Sequence, residues 1–372
     1  MAVEHDLETM EIPVNMGPQH PSTHGVFRMV LKVDGERVVE LVPHIGYLHR
    51  GAEKLCENMD YRQGIGIHDR TEYLAPFHAE LALVIAVEKL MGLEVPERAE
   101  QIRIIMAELN RITSHMMFVG AFSADAGVFG TAFTYAFRER EYIQDIFEEV
   151  TGDRTMYGYF RPGGLAWDVP DDFVERVRAV LEHTRQGIDD IDNLLTKNEV
   201  FMARTRGIGA MSAEEAIDWG LSGPMLRACG VRHDLRKAQP YCIYDRFDFD
   251  VPVGQYGDVY DRYLVRLEEM RQSVRIVEQA LEGLRDGPIM PKKMRRRLRT
   301  PPGEIYQGVE APRGEYGVYI VSDGTDKPYR MKIRSACFAN LMGLRDMVVG
   351  HFVADAVVIL GSIDMVLGEV DR

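Results

Sequence analysis

Two histidines, His20 and His24, stand four residues apart in the run GPQHPSTHG (17–25). Imidazole titrates near neutral pH, so such a pair can deliver a proton, hold a turn by hydrogen bonding, or ligate a metal. Pro21 lies between the two and argues against a shared helical face. A metal site needs a third ligand, which His44, His49, His68, or His78 with Glu80 could supply. No HExxH and no CxxC completes such a set. Two other readings stay open: a turn stabilised by imidazole hydrogen bonds, or one histidine that protonates a redox or acid–base substrate. Tyr73 follows His68-Asp69-Arg70, at a helix start where polar residues give way to apolar ones. Its hydroxyl either finds a partner inside a core or faces a substrate. The 20 methionines read as scattered core filling.

Nucleotide and acyl-transfer motifs are missing. There is no GxxxxGK[ST], no GxGxxG after a strand and no GxSxG. Gly207-Ile208-Gly209 lacks the third glycine and the βαβ context of a dinucleotide site, so it reads as a turn.

The elements that must position these side chains read as helices between two β regions. Phe27, Met29, Leu31 and Val33 alternate with Arg28 and Lys32, then Asp34-Gly35 turns the chain and Val38–Val42 returns. That pattern predicts a hairpin over Val26–Pro43, preceded by a shaped loop over Gly17–Gly25. Helices are expected over Tyr47–Met59, over Asp69–Met91 with Pro76 as a kink or late start, and over Glu97–Phe122, ending near Asp125-Ala126-Gly127. Others are expected over Thr131–Val150, stopped by Gly152, and over Asp171–Leu195. Ser212 and Glu215 form a capping box for a short helix. Gly257–Leu284 carries the stripe Tyr263, Leu264, Leu267, Met270, Val274, Val277 and Leu281, and its charged remainder reads as a solvated face. After Asp286 come the basic run Lys292–Arg299, strands over Tyr316–Val321 and Tyr329–Ile333, and a final helix over Leu344–Leu360.

The fold class is therefore α+β, mainly helical, with a central bundle flanked by N-terminal and C-terminal β elements. The expected divisions are 1–45 for the hairpin and histidine loop, 46–285 for the bundle, and 286–372 for the basic segment, small β region and last helix. The basic run is either a solvated loop or a docking strip for another subunit or an anionic membrane surface.

Composition excludes several classes. With 372 residues the chain can bury a core without staples, and 46% hydrophobic with 27% charged residues is ordinary for a globular protein. A net charge of −14 argues against a nucleic-acid partner. Cysteines at 56, 229, 242 and 337 make no CxxC pair, so a disulfide scaffold, a zinc ribbon and a self-contained iron–sulfur site are not expected. Leu81–Val87 is too short to span a bilayer, Met347–Leu360 carries His351 and Asp355, and acidic Met1–Val14 is unlike a signal peptide. A soluble protein in a reducing compartment is expected, free to dock onto a membrane protein.

Longer motifs carry a resemblance. GPQHPSTHG (17–25), IGYLHRGAEKL (45–55), HDRTEY (68–73), FRERE (137–141), RPGG (161–164) and TRGIGAMSAEEAIDWGLSGPMLRACGVRHDLR (205–236) are similar to the D-subunit family of NADH–quinone oxidoreductase, respiratory complex I. So are PYCIYDRFDFDVPVGQYGD (240–258), VEAPRGEYGVYIVSDG (309–324), PYRMKIR (328–334) and GSIDMVLGEVDR (361–372), in order along nearly the whole chain. That family resembles the large subunit of nickel–iron hydrogenases in fold. Those enzymes hold metal with two CxxC pairs; here Cys56 is alone and the C-terminal motif has no cysteine, so a former metal cavity reused for quinone is implied.

The resemblance implies roles for four residues. His24 and Tyr73 would each donate to one quinone carbonyl, Asp125 would hydrogen-bond the histidine, and Arg50 would lie near the terminal iron–sulfur cluster of the neighbouring B subunit. It also implies quinone as substrate, no metal and no cofactor on this chain, and electrons from the partner's 4Fe–4S cluster. Implied partners are chiefly the B and C subunits, with the I subunit and the membrane H subunit, at the cytoplasmic face of a bacterial inner membrane. Activity is expected only within the complex. A scaffold that shapes the pocket and couples redox to conformation, without donating protons, is the alternative. Two departures stand out. Gly127–Phe133 reads GVFGTAF, one residue longer than the family's usual stretch, and Arg154-Thr155-Met156 lacks the histidine found there in many members.

Overall fold

The computed structural model describes residues 10–128, 130–294 and 297–372. Phe129 of the lengthened stretch, Arg295 and Arg296 of the basic run, and residues 1–9 of the acidic N-terminus lie outside the described residues.

Period-two alternation builds the first sheet. β1 (Glu11–Met16), β2 (Arg28–Asp34) and β3 (Arg37–His44) are antiparallel in that order, with Met29, Leu31 and Val33 buried on one face. The β2–β3 hairpin turns at Asp34-Gly35 as expected, and Gly35 takes φ 60°. β1 was not expected. Its Pro13 is tolerated because the strand lies on the sheet edge.

The bundle follows. α1 (Ala52–Asn58) is shorter than the helix expected over Tyr47–Met59, because the Asp371 carboxylate accepts from the backbone N–H of Gly46 (2.8 Å) and Leu48 (2.7 Å) and holds a turn there. α2 (Tyr61–Thr71) opens with a capping box from Asp60 and Gln63. α3 (Pro76–Met91) starts at its proline, so the expected Asp69–Met91 helix is two helices with a turn between. α4 (Glu97–Asp125) runs 29 residues, and α5 (Thr131–Thr151) stops at Gly152 with φ 78°. A two-residue ladder, β4 (Phe160–Arg161) with β5 (Gly164–Leu165), leads to α6 (Phe173–Leu195). Short helices α7 (Glu199–Thr205), α8 (Ala213–Asp218, capped by Ser212 and Glu215), α9 (Gly223–Ala228) and α10 (Leu235–Ala238) precede α11 (Val259–Gly283).

A second antiparallel sheet, β6 (Gly303–Ala311), β7 (Gly314–Ser322) and β8 (Arg330–Arg334), lays β6 and β7 against α3. The chain ends in α12 (Ala336–Met342), α13 (Leu344–Val348), α14 (Val353–Ile363) and α15 (Leu367–Asp371). The single final helix expected over Leu344–Leu360 is broken at Gly350, whose φ is 92°. The whole is α+β and mainly helical, with sheets at both ends of the chain and the bundle between. Among the described residues no helix is long and apolar enough to cross a membrane.

The bundle core contradicts one expectation. α4 packs between α5 and α11. The charged side of α11 is not all solvated: Arg262, Arg266 and Glu269 are buried beside the expected apolar stripe. Seven arginines among the described residues are fully buried. Their partners explain it. Arg227 donates to Glu269 (2.6 Å) and Glu310 (2.7 Å), Arg236 to Asp234 (2.7 Å) and Glu108 (3.1 Å), and Arg103 to Glu88 (2.6 Å). A buried guanidinium persists only where carboxylates and carbonyls take up its donors.

Candidate functional site

The loop Gly17–Gly25 separates the roles of its two histidines. Pro21–Thr23 is a single 3-10 turn, and His20 Nδ1 accepts from Ser22 N–H at its start. Thr23 Oγ1 donates to the carbonyls of His20 (2.8 Å) and Gly25 (3.1 Å). His20 is thus the turn-holding histidine. His24 closes the turn in the left-handed region, φ 52°, which aims its ring inward.

There Nε2 of His24 meets Asp125 Oδ2 at 2.7 Å. Asp125 is the last residue of α4, where the helix dipole adds negative character. Burial disfavours the imidazolium, but the hydrogen bond and charge of Asp125, with Asp364 further off, outweigh it and raise the His24 pKa above its ordinary value. The pair is 101 residues apart in sequence, so no spacing rule could have joined it.

Tyr73 lies in the turn between α2 and α3, not at a helix start. It is half-buried. Burial and the charge of Glu72 push its phenol pKa up, against a weaker pull from Arg313, so it stays protonated at neutral pH.

The C-terminal motif touches both places. A Cβ on Gly361 would lie 2.5 Å from Asp125 Oδ2 and 3.2 Å from His24 Nε2, and one on Gly368 would lie 2.9 Å from Tyr73 Cε1. Only glycine allows these approaches, so the run Gly361–Gly368 is fitted to the His24–Asp125 pair at one end and to Tyr73 at the other. Asp364, midway along it, accepts from Arg313 at 3.3 Å. Arg313 in turn donates to Glu72 (3.0 Å) and Ser114 (2.8 Å). Arg313, Asp364, Glu72 and Glu369 were not singled out from the sequence, although all four fall inside the long motifs quoted above.

Arg50 does not join the His24–Asp125 contact but borders the Tyr73 end, because a Cβ on Gly368 would lie 3.1 Å from the Arg70 carbonyl that Arg50 bonds. It is exposed on the Gly46–Gly51 turn that Asp371 pins, and its guanidinium donates to the backbone carbonyl of Arg70. The histidines weighed as metal ligands go elsewhere too. His49 Nδ1 bonds the Asp371 carbonyl (2.7 Å), and His68 bonds Tyr316 Oη (2.9 Å). His78 lies against Arg111 (3.3 Å). Burial drops the His68 pKa to about 4 and takes that of His78 well below its usual value, so both are neutral core histidines. A groove of about 1140 Å³ runs along α6 and α11, lined by Asp192, Arg206, Tyr256 and Asp258, and neither His24 nor Tyr73 lines it.

A buried pair of acids, Asp69 and Glu80, fixes the segment after α5. Glu80 Oε2 accepts from the N–H of Tyr159 (3.0 Å) and Phe160 (2.7 Å), and Asp69 Oδ2 from that of Gly158 (3.0 Å). Burial raises both carboxyls, Asp69 to about 6 and Glu80 well above its usual range. Asp69 Oδ1 and Glu80 Oε1 are buried without a donor, which a proton on Glu80 shared between the two would satisfy. An acid whose pKa is raised on folding favours the fold below its unfolded value and loses that contribution as pH rises through the folded value. Glu80→Gln keeps both backbone bonds and supplies an amide donor to Asp69. Its stability relative to wild type should rise by roughly 1–2 kcal/mol between about pH 4 and 6. Denaturant unfolding of both proteins across that range checks this, and a pH-independent difference removes the shared proton.

Comparison with known proteins accords with this architecture. The family described as Respiratory-chain NADH dehydrogenase, 49 Kd subunit, matches residues 125–300 and 292–372. Relatives named as the D subunit of NADH-quinone oxidoreductase include one from Carboxydothermus hydrogenoformans, 50% identical over 98% of this chain and 100% of its own. Another, from Desulforamulus reducens, is 51% identical over 98% and 99%. A third, from Dehalococcoides mccartyi, is 50% identical over 98% and 100%. Identity at that level along the full length, on a fold whose terminal motif is fitted to both candidate donors, places the chain in the D-subunit family of NADH–quinone oxidoreductase.

Proposed function

We propose that this chain forms the site at which quinone is reduced within the complex. The observation that carries the reading is the shared seat of His24–Asp125 and Tyr73 on Gly361–Gly368. Reduction of a quinone to a quinol takes two electrons and two protons. An imidazolium held charged by Asp125 and a phenol held neutral by burial are suitable donors, one to each carbonyl oxygen. The sequence carries no CxxC pair and no cofactor motif, so on this reading electrons come from a partner's cluster. That partner is the B subunit with its terminal 4Fe–4S cluster, with Arg50 on the turn facing it. The C, I and membrane H subunits complete the surroundings, and the chain sits peripherally on the cytoplasmic face of the inner membrane. Proton pumping is the work of the whole complex.

Tyr73→Phe tests the reading. The variant loses one hydroxyl and keeps the ring packing against Gly368, so the complex should assemble and oxidise NADH with an artificial acceptor at the wild-type rate. Quinone reduction should fall roughly tenfold or more, the loss of one hydrogen bond to a developing charge. Unchanged quinone turnover removes Tyr73 from the site and favours a scaffold that shapes the pocket without donating protons.

A further inference from the structure

Behind Tyr73 lies a group of ionisable side chains for which hydrogen bonding to the substrate gives no reason. Glu72, Glu369 and Cys337 are all buried, and one ligand-type atom of each lies within 4.8 Å of the others. Cys337 donates twice to Glu369, from its backbone N–H (3.2 Å) and from Sγ (3.0 Å). Arg313 donates to Glu72 Oε1, while Glu72 Oε2 is buried with no donor reaching it.

A charge count narrows what can sit there. Three carboxylates, Glu72, Glu369 and Asp364, face two buried guanidinia, Arg313 and Arg266, with Arg266 Nε 4.0 Å from Asp364. One proton on the glutamates balances the set at two and two, and it turns the orphaned oxygen of Glu72 into a donor to Glu369. A metal ion would instead have to share Glu72 with Arg313, which opposes it. Tyr316, the other titratable neighbour, holds its hydroxyl against Thr71 and His68. Tyr73 borders this group: it follows Glu72 in the chain, its ring lies against Gly368, the residue before Glu369, and the charges of Glu72 and Cys337 act on its phenol.

We propose that Glu72 and Glu369 hold one proton between them, and that this proton refills Tyr73 after the phenol has protonated quinone. Burial, with Glu369 adding to it and Arg313 opposing, pushes Glu72 well above its usual range. Burial acts on Glu369 as well, but hydrogen bonds from Glu72 and Cys337 bring it below its ordinary value, so the proton resides on Glu72. In the step, quinone takes two electrons from the partner's cluster, one proton from the His24 imidazolium and one from Tyr73 Oη. The Glu72 O–H bond then breaks as the Tyr73 O–H bond reforms, leaving two carboxylates until solvent restores the proton. Glu72 acts through Tyr73 and is a positioning residue, not one that touches quinone.

This inference rests on the quinone-site reading, and the experiment separates the two. In the assembled complex, redox-difference infrared spectra should show the carbonyl stretch of a protonated carboxyl that is lost during quinone reduction in wild type and absent from Glu72→Gln. With Glu72→Gln, the first quinone per complex should be reduced at the wild-type rate, because Tyr73 starts protonated. Steady-state reduction should then slow by about tenfold or more. Glu369→Gln should shift the same band, which serves if Glu72→Gln fails to assemble. A wild-type spectrum without that band, or steady-state turnover in Glu72→Gln equal to wild type, overturns the shared proton. Failure of the underlying reading looks different: Tyr73→Phe turns over quinone normally while the carboxyl band persists.

Discussion

Replacing His24 with alanine in the assembled complex is expected to lower quinone reduction by roughly 10²-fold or more, with NADH oxidation by an artificial acceptor unchanged. On the proposed reading the imidazolium would supply both a proton and a positive charge where the quinone oxygen becomes basic, which sets the size of the effect. Asp125 extends that form to higher pH through its 2.7 Å contact and its charge. Asp125→Asn should therefore act differently from His24→Ala. It keeps a hydrogen bond but removes the charge, so the His24 pKa falls and the alkaline limb of the pH–rate profile moves to lower pH, with activity recovered on the acid side. The sign follows from the raised pKa: the protonated donor persists to higher pH with Asp125 than without it. Steady-state rates with quinone between pH 5 and 9 decide the matter. An Asp125→Asn profile that loses height at every pH without shifting would show the aspartate to be a steric support only.

Legibility differed sharply between local and distant features. The β2–β3 hairpin, the Ser212 capping box and the α5 stop at Gly152 were readable because each is decided within a few residues by turn or cap chemistry. The helix expected over Glu97–Phe122, observed as Glu97–Asp125, was readable from a long stretch without proline in which Gly120 is the one weak point. Tertiary partners decided the rest. The Gly46–Gly51 turn exists because Asp371, more than 300 residues later, satisfies its amides, so a helix was expected where none forms. β1 is held only by its neighbour β2, and its Pro13 masked the alternation.

Charge was the least legible property. A local rule treats Arg262, Arg266 and Glu269 as the solvated side of α11, but the bundle closes over them from α4 and α14. Of the site, the histidine loop and Tyr73 drew notice as chemistry without a reaction, and Asp125 and Arg50 came from the family resemblance. The resemblance also paired His24 with Asp125, although no sequence spacing joins them and only the fold gives the 2.7 Å contact. Arg313 and Glu369 needed the folded chain: they are ordinary charged residues until burial makes each of their partners count.

The buried ion network itself sets the second large effect. Glu108 is fully buried on α4 and accepts from Arg111 (3.1 Å), Arg236 (3.1 Å), Tyr244 Oη (2.6 Å) and Ser273 Oγ (2.7 Å). Burial alone would raise its carboxyl pKa. Arg111, Arg236 and the two hydroxyls outweigh that and hold it far below the usual range. Glu108→Ala removes the anion that α10, α11 and the 241–246 turn share, leaving two guanidinia charged and underpaired in the core. Breaking one side of such a cluster costs about 3–5 kcal/mol, a large part of a typical folding free energy. Loss of a soluble, assembling chain is the expected result, read as the amount of this chain in purified complex and as the midpoint of denaturant unfolding. Glu108→Gln keeps the volume and one of the two acceptor oxygens, on which Tyr244 and Ser273 converge separately, but not the charge, so it should fall between alanine and wild type. Because the wild-type pKa is depressed, the contribution of Glu108 is fully present above its unfolded value near 4 and fades only as pH drops towards the folded one. The gap between Glu108→Gln and wild type should therefore be constant from pH 6 to 8 and narrow in acid. A gap of under about 1 kcal/mol at neutral pH would mean that Asp234 beside Arg236 and the charge of Glu269 on Arg111 neutralise the two arginines unaided.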